Sequence, residues 1–285
     1  MITRTIGDRQ VSAIGLGGMP MSIEGRPDEK QSIAAIHAAL DAGVTFIDTA
    51  DAYSEGADDF GHNESLVARA LSAYPGDTSG VLVATKGGHL RPGGGAWKLN
   101  GHPDYLREAA KASLRRLGGD AIGLYQFHRP DPEVDYADSV GALRDLLDEG
   151  VIELAGISNA HPDQIRLAND ILGGRLAAVQ NQFSPAFRSS MPELDLCAEL
   201  GIAFLPWSPL GGIGGAGALG EKFQAFAEVG AAHGVSPQQV ALAWELALSP
   251  TVIPIPGASK ARSITDSARA AELSLAADEI ARLSA

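Results

Sequence analysis

The sequence predicts an α/β chain folded as a (β/α)₈ TIM barrel, and three observations carry that prediction. Eight β-prone stretches alternate with helix-patterned ones along the whole chain. Most of the eight are continuous apolar runs rather than alternations, as for strands covered on both faces of a parallel sheet. The 285 residues, 45% hydrophobic and 20% charged, suffice for one large core that needs no staples. No linker, low-complexity tail or compositional break interrupts them, so a single domain over 1–285 is expected.

The opening stretch "TRTIGDRQVSAI" reads as a β-hairpin around Gly7-Asp8 that closes the barrel floor. The barrel strands are then expected at 13–18, 45–50, 81–86, 123–128, 153–158, 177–182, 202–207 and 251–256. Helical patterns fill the intervals. "DEKQSIAAIHAALDAG" places Ile33, Ile36, His37 and Leu40 on one stripe and stops at Gly43. "NESLVARALSA", "PDYLREAAKASLRRLGG", "DYADSVGALRDLLDEG", "HPDQIRLANDILGG", "PELDLCAELG" and "SPQQVALAWELALS" follow. Several open on Asn, Pro-Asp or Ser-Pro and close on Gly, which supplies a cap at one end and a left-handed stop at the other. A doubly wound open sheet is the alternative, but "GLGGMP" lacks the third glycine and the following helix of a dinucleotide fingerprint.

Composition narrows the function. A formal net charge of −13 repels nucleic acid and anionic membranes. No run approaches the ~20 apolar residues of a membrane span. Cys197 is the sole cysteine, so no internal disulfide forms and a reducing compartment is expected. It lies mid-helix and reads as core. "MITRTIGDRQ" lacks an apolar segment of the signal-peptide kind, so a cytoplasmic location is expected.

In a parallel barrel the chemistry gathers where strands end. The second strand delivers Asp48, with Tyr53 on the loop beyond; the third delivers Lys86 and the fourth His128. The fifth delivers Ser158 and Asn159, the sixth Gln180, the seventh Trp207 and Ser208. The eighth delivers Pro256 and Gly257, with Ser259, Lys260 and Arg262 just beyond. A phenol is a poor acid at neutral pH, and an adjacent ammonium is expected to lower its pKa. In a partly dry site that ammonium needs a carboxylate partner. Asp48, Lys86 and Tyr53 supply this set, and His128 adds a group to orient a carbonyl; together they would stabilise the oxyanion formed when hydride attacks. No metal site is expected.

Taken in order, "FIDTADAY", "VLVATK", "SLRRLGGDAIGLYQFHRPDP", "AGISN", "VQNQFSP", "PWSPLG" and "IPIPGASK" make the chain resemble the aldo-keto reductases over essentially its whole length. The resemblance implies a catalytic tetrad of Asp48, Tyr53, Lys86 and His128, with Tyr53 as proton donor. It also implies NADPH (NADP+) as cofactor, bound extended across the strand ends. Ser158, Asn159 and Gln180 would hold the nicotinamide carboxamide, and Trp207 would stack on the ring. Ser208, Leu210 and Gly211 would lie along the pyrophosphate, with Gly257 at the end of the last strand. Ser259, Lys260 and Arg262 would receive the 2′-phosphate, and Asp266 stands where the family has a glutamate near the adenine. The residues agree for the phosphate: Ser-Lys-x-Arg at a helix start joins free N–H groups to two cations in an acidic chain.

Three features depart from the family pattern. Gly123 replaces an aspartate before "LYQ", Arg129 follows the histidine where tryptophan is common, and "GGIGGAGALG" (211–220) is short and glycine-rich, implying loose retention of the cofactor. Met19, Trp97 and Arg129 are expected in the substrate pocket; "RPGGGAWKLNG" (91–101) reads as a mobile loop whose Trp97 forms a wall. Specificity is assigned to 19–28, 54–62, 88–102, 129–135 and 183–191. The expected activity is NADPH-dependent reduction of an aldehyde or ketone, a small-molecule carbonyl being the partner. The alternatives are a Schiff-base lyase using Lys86 and a cofactor-bound regulatory module with little turnover. The sequence carries no signal of oligomeric state.

Overall fold

The computed structural model describes residues 1–285. The chain enters as an antiparallel hairpin of β1 (Thr3–Ile6) and β2 (Arg9–Ser12). The barrel strands are β3 (Leu16–Gly17), β4 (Phe46–Asp48), β5 (Leu82–Gly87), β8 (Ile122–Phe127), β9 (Ile152–Ser158), β10 (Leu176–Gln180) and β11 (Ala203–Phe204). They form one parallel sheet in that order. A second hairpin, β6 (His89–Gly93) and β7 (Ala96–Leu99), lies outside the sheet. Ile6 and Val11 of the first hairpin are buried with Phe46, Leu82, Leu124 and Ala178 from four barrel strands, so this hairpin does cover the floor. Its turn requires Gly7, which sits at φ 58°; a Cβ there would also stand 2.6 Å from Leu154.

The eighth expected strand, 251–256, is not a regular strand, and its prolines explain why. In a parallel ladder successive residues address alternate neighbours. Ile253 and Ile255 donate toward one side, to Phe204 O (2.9 Å) and Pro206 O (3.2 Å). Pro254 and Pro256 face the other side and have no N–H to give. They only accept, from Gly15 N (2.9 Å) and Gly17 N (3.0 Å). Isolated bridges Phe204↔Val252 and Gly17↔Gly257 still close the cylinder. The expected strands at 13–18, 45–50 and 202–207 are likewise shorter, as β3, β4 and β11.

The helices are α1 (Glu29–Asp41), α2 (His62–Ala73), α3 (Pro103–Leu117), α4 (Tyr136–Asp148), α5 (Pro162–Ile171), α6 (Met191–Leu200), α7 (Leu219–Lys222), α8 (Gln224–His233), α9 (Pro237–Leu248), α10 (Ala261–Arg269) and α11 (Ala277–Ser284). Side chains cap several of them as the sequence predicts: Asp28 accepts from Gln31 N, Asp135 from Ala137 N and Ser236 from Gln239 N. Asn63 does not cap α2. It is buried inside the first turn, where its amide donates to Gly18 O (2.9 Å) and accepts from Thr49 Oγ1 (2.6 Å). The stretch 91–101, expected as a mobile loop, is mostly the β6–β7 hairpin, turned by Gly93, Gly94 and Gly95 at φ 105°, 60° and 74°. The glycine-rich 211–220 is not all loop either; its end enters α7.

The seam between β3 and the 251–257 segment is packed backbone against backbone. A Cβ on Gly17 would lie 2.8 Å from Ile255 O and 3.2 Å from the Gly257 Cα. Gly17→Ala is therefore expected to destabilise the protein by about 1–3 kcal/mol, read as a lower urea midpoint; an unchanged midpoint would show that the seam is looser than described.

Candidate active site

Lys86 stands near the end of β5 and its side chain is wholly buried. An ammonium has three N–H donors, and all three are taken: Asp48 Oδ2 at 2.6 Å, Thr49 O at 2.8 Å and Tyr53 Oη at 3.0 Å. The tyrosine oxygen accepts that bond, so its own O–H is free to point elsewhere. Tyr53 lines the cavity above the strand ends, only 7% exposed. Asp48 is held in turn, its Oδ1 accepting from Gln180 Nε2 (2.8 Å) and more weakly from Gln126 Nε2 (3.4 Å). Gly156 makes room for Gln126, since a Cβ there would stand 2.8 Å from its Cγ.

The loop carrying Tyr53 is anchored at both ends. Thr49 N donates to Ala84 O (2.8 Å), Asp51 N to Lys86 O (3.3 Å) and Gly61 N to Asp51 O (2.7 Å). The Asp51 carboxyl is buried with neither oxygen hydrogen-bonded. Burial, reinforced by the nearby Glu64 carboxylate, pushes it well above its ordinary value, which favours the protonated form.

The electrostatics correct one expectation. Lys86 does pull the Tyr53 phenol down, but burial lifts it more, and the net shift is upward. Tyr53 therefore holds its proton through neutral pH. Burial opposes the charge on Lys86, but Asp48 and Tyr53 outweigh it and hold the ammonium above the usual lysine value. A Schiff base needs a neutral, reachable amine; Lys86 offers neither. Burial pushes the Cys197 thiol up to about 12, which leaves it a core residue.

His128 follows β8 and meets Tyr53 edge-on, ring centroids 5.8 Å apart. Its Nδ1 is buried without a partner. The sequence placed His89 only within the specificity loop 88–102, yet its ring stacks on His128 at 4.2 Å and lines the cavity, with Trp97 edge-on at 5.3 Å. Gly88, at φ 114°, turns the chain from β5 into β6 and so brings His89 there. Burial, with Arg129 and Lys86 nearby, pushes His89 down to about 4, and burial with His89 beside it pushes His128 well below its ordinary value. Both rings are neutral at pH 7. The pair of glycines after Lys86 was the only sequence hint of this arrangement.

The cavity holds about 710 Å³. It gathers Asp48, Tyr53, His128, Ser158, Asn159, Gln180, Trp207, Ser208, Leu210 and Gly257 from the expected site, and also Met19, Trp97 and Arg129. Lys86 lies beneath the lining, and Gly212 rather than Gly211 reaches it. Ser259, Lys260, Arg262 and Asp266 lie outside it. Lys260 and Arg262 are exposed at the start of α10, neither paired with a carboxylate. Both Asp266 oxygens are engaged, by Ser236 Oγ and Gln239 Nε2, each at 2.6 Å. Asn159 (φ 59°) and Ser208 (φ 53°) are the two non-glycine residues with left-handed backbone, and both line this cavity. Such strain persists where surrounding structure fixes it, as at ligand sites.

Arg91, buried on β6, forms an ion pair with Glu24 and stacks over Trp97 at 4.2 Å, so the second hairpin is tied to the loop after β3 as one wall of the cavity. The Aldo/keto reductase family model matches residues 13–285. The chain belongs to that family. It is 34% identical over 285 residues to an uncharacterized oxidoreductase of Schizosaccharomyces pombe, covering 99% of this chain and 88% of the relative. It is 36% identical over 269 residues to the 6-dehydroglucose reductase of Novosphingobium aromaticivorans, covering 91% and 86%. A crystal structure of an aldo-keto reductase from Klebsiella pneumoniae in complex with NADPH superposes with a TM-score of 0.80 at 27% identity, over 99% of this chain and 94% of that one. In this family member, then, the strand ends converge on one cavity with a buried, carboxylate-paired lysine beneath a tyrosine.

The depressed histidine has a consequence for stability. In the unfolded chain His89 takes up a proton near pH 6.5; in the folded chain it does so near 4. Its contribution is complete above pH 6.5 and is lost as pH falls toward 4. Asp51 and Glu245, both raised by burial, act in the opposite sense, so the comparison must be with a variant. Relative to His89→Phe, the wild type should lose up to about 1.4 kcal/mol per pH unit below 6.5. Urea unfolding of both proteins between pH 7 and 5 measures this; parallel pH profiles would contradict it.

Proposed function

We propose that the chain reduces an aldehyde or ketone to the alcohol with NADPH as the reductant, and that Tyr53 supplies the proton. The observation that carries this reading is the saturation of Lys86. With all three ammonium protons engaged, one by the tyrosine oxygen, the phenolic proton is left for an acceptor in the cavity. A carbonyl oxygen that accepts from Tyr53 also lies within reach of His128, which is neutral and orients it by hydrogen bonding rather than by charge. As negative charge grows on the substrate oxygen the proton passes from Tyr53, and the nascent phenolate is stabilised by the Lys86 N–H bond it already accepts. Asp48 keeps that ammonium charged and aimed; Gln180 and Gln126 keep Asp48 in place. Solvent then returns a proton to the phenolate.

The residues present fit a nicotinamide dinucleotide phosphate. Gln180 uses its amide N–H on Asp48, which leaves Oε1 to accept from a carboxamide. Trp207 offers a ring face and Ser208 a fixed backbone at the cavity wall. The unpaired Lys260 and Arg262 suit a 2′-phosphate, which favours NADPH over NADH. When bound, the reduced nicotinamide supplies the hydride to the carbonyl carbon. The NADPH complex of the Klebsiella pneumoniae relative supports the same choice. The buried, lone Cys197 fits a reducing compartment, and the cytoplasm is the location we propose. No helix is long and apolar enough to cross a membrane.

Tyr53→Phe is expected to lower kcat for 4-nitrobenzaldehyde by at least about 100-fold, while tryptophan quenching by NADPH is retained. Turnover near the wild-type rate would overturn the assignment of the acid. No turnover by the wild type over a broad carbonyl panel, with tight NADPH retention, would instead identify a cofactor-bound module.

A further inference from the structure

The charges around the cavity do not balance. Asp48 is paired with Lys86, and Glu24 with Arg91. Two charged side chains remain in the lining, Arg129 and Lys98, and neither forms an ion pair. His89 and His128 add no charge, being neutral. In a chain of net charge −13 the cavity thus presents two uncompensated cations. Unpaired cations on an open surface are ordinary, but Arg129 is not free to wander. Its guanidinium donates to Asn159 Oδ1 at 3.0 Å, while the Asn159 amide donates to His128 O and Ser158 Oγ. Although exposed, the cation is thus tied to the strand-end residues Ser158 and Asn159 that line the cavity, with further N–H donors unused. Lys98 stands on the opposite hairpin, next to Trp97.

Part of the wall is apolar. Pro20, Ile23, Trp97, Leu99 and Ile213 line the same cavity as the two cations and Tyr53. A guanidinium fork suits carboxylate or phosphate oxygens, and a lysine acts as a point charge for either.

We propose that Arg129, assisted by Lys98, is the specificity determinant of this cavity and that the substrate is an aldehyde or ketone with an apolar or aromatic body and an anionic group remote from the carbonyl. The inference rests on the carbonyl-reductase reading above. The cofactor's 2′-phosphate does not account for these cations, because the residues suited to it, Lys260 and Arg262, lie outside the cavity.

Matched aldehydes test it. 4-Formylbenzoate and its methyl ester differ in charge and little in shape; glyceraldehyde 3-phosphate and glyceraldehyde make the phosphate pair. For wild type, kcat/KM should favour the anion in at least one pair, with a preference that shrinks as ionic strength rises. Arg129→Gln should lower that anion-to-neutral ratio by about 10- to 100-fold, the range of a lost hydrogen bond to a charged group, and Lys98→Glu should lower it further. Arg129→Lys should restore part of it. A purely structural role through Asn159 would depress both members of a pair equally. An equal loss, or no wild-type preference in either pair, overturns the proposal. So does a rise in the NADPH Kd of Arg129→Gln that matches the loss of ratio, for the guanidinium would then belong to the cofactor. Should no aldehyde be turned over, the reductase reading fails separately; calorimetric binding of 4-formylbenzoate but not its ester to the NADP-loaded protein would still uphold the anion site, and equal or absent binding of the two would overturn it.

Discussion

A fully buried ammonium is the constraint on which the site depends. An isolated charge in a barrel interior is costly to desolvate, and removing one partner of a buried pair leaves the other uncompensated. Lys86 is tolerated because every one of its protons has an oxygen to meet, and meeting them fixes three things together: the carboxylate of β4, the peptide that starts the following loop, and the phenol carried on that loop. The neighbours serve this arrangement. Thr49 and Asn63 tie the loop to β3 and α2, and Gln180 and Gln126 hold the far oxygen of Asp48. The two pulls on Tyr53 suit a proton donor: burial keeps the phenol protonated in the resting site, and the ammonium stabilises the anion once the proton has gone.

Much of this was legible in the sequence, for a physical reason. Parallel strands buried on both faces read as apolar runs, and a polar residue closing such a run stands out. Asp48, Lys86, His128 and Gln180 were each found this way, and the structure brings all four to one end of one cylinder. What escaped depended on backbone geometry or on contacts distant in sequence. The segment 251–256 has strand composition, but Pro254 and Pro256 cannot donate to β3, so it closes the barrel without being a regular strand. Asn63 resembles a cap by position and is a buried clamp because Gly18 and Thr49 lie against it. The glycine run 93–95 reads as flexibility, yet it turns a hairpin that Arg91 latches to Glu24. His89 fell within a loop assigned to specificity, but its stacking on His128 was not legible, since that partner is distant in sequence.

Charge is distributed as a division of labour on an acidic chain. Positive side chains that are paired with carboxylates hold structure: Arg91 on Glu24, Arg116 on the buried Glu64, Lys86 on Asp48. Among those without carboxylates, one pair stands at the start of α10 and another on the cavity wall. An anion arriving at either meets local attraction against a repulsive background, which makes those few cations discriminating. Backbone strain follows the same geography, with Asn159 and Ser208 both forced into left-handed conformations on the wall.

The central claim, that Asp48 and Lys86 act on the Tyr53 phenol with opposite sign inside a site that raises its pKa, can be measured directly. Tyrosine labelled with ¹³C at the ring carbon bearing the hydroxyl gives each of the five tyrosines its own titration curve, and the Tyr53→Phe spectrum identifies the signal. In folded wild-type protein Tyr53 should ionise above the ordinary tyrosine pKa of about 10; Asp48→Asn should move it down and Lys86→Met should move it up. A phenol that titrates at its ordinary value and responds to neither substitution would contradict the account.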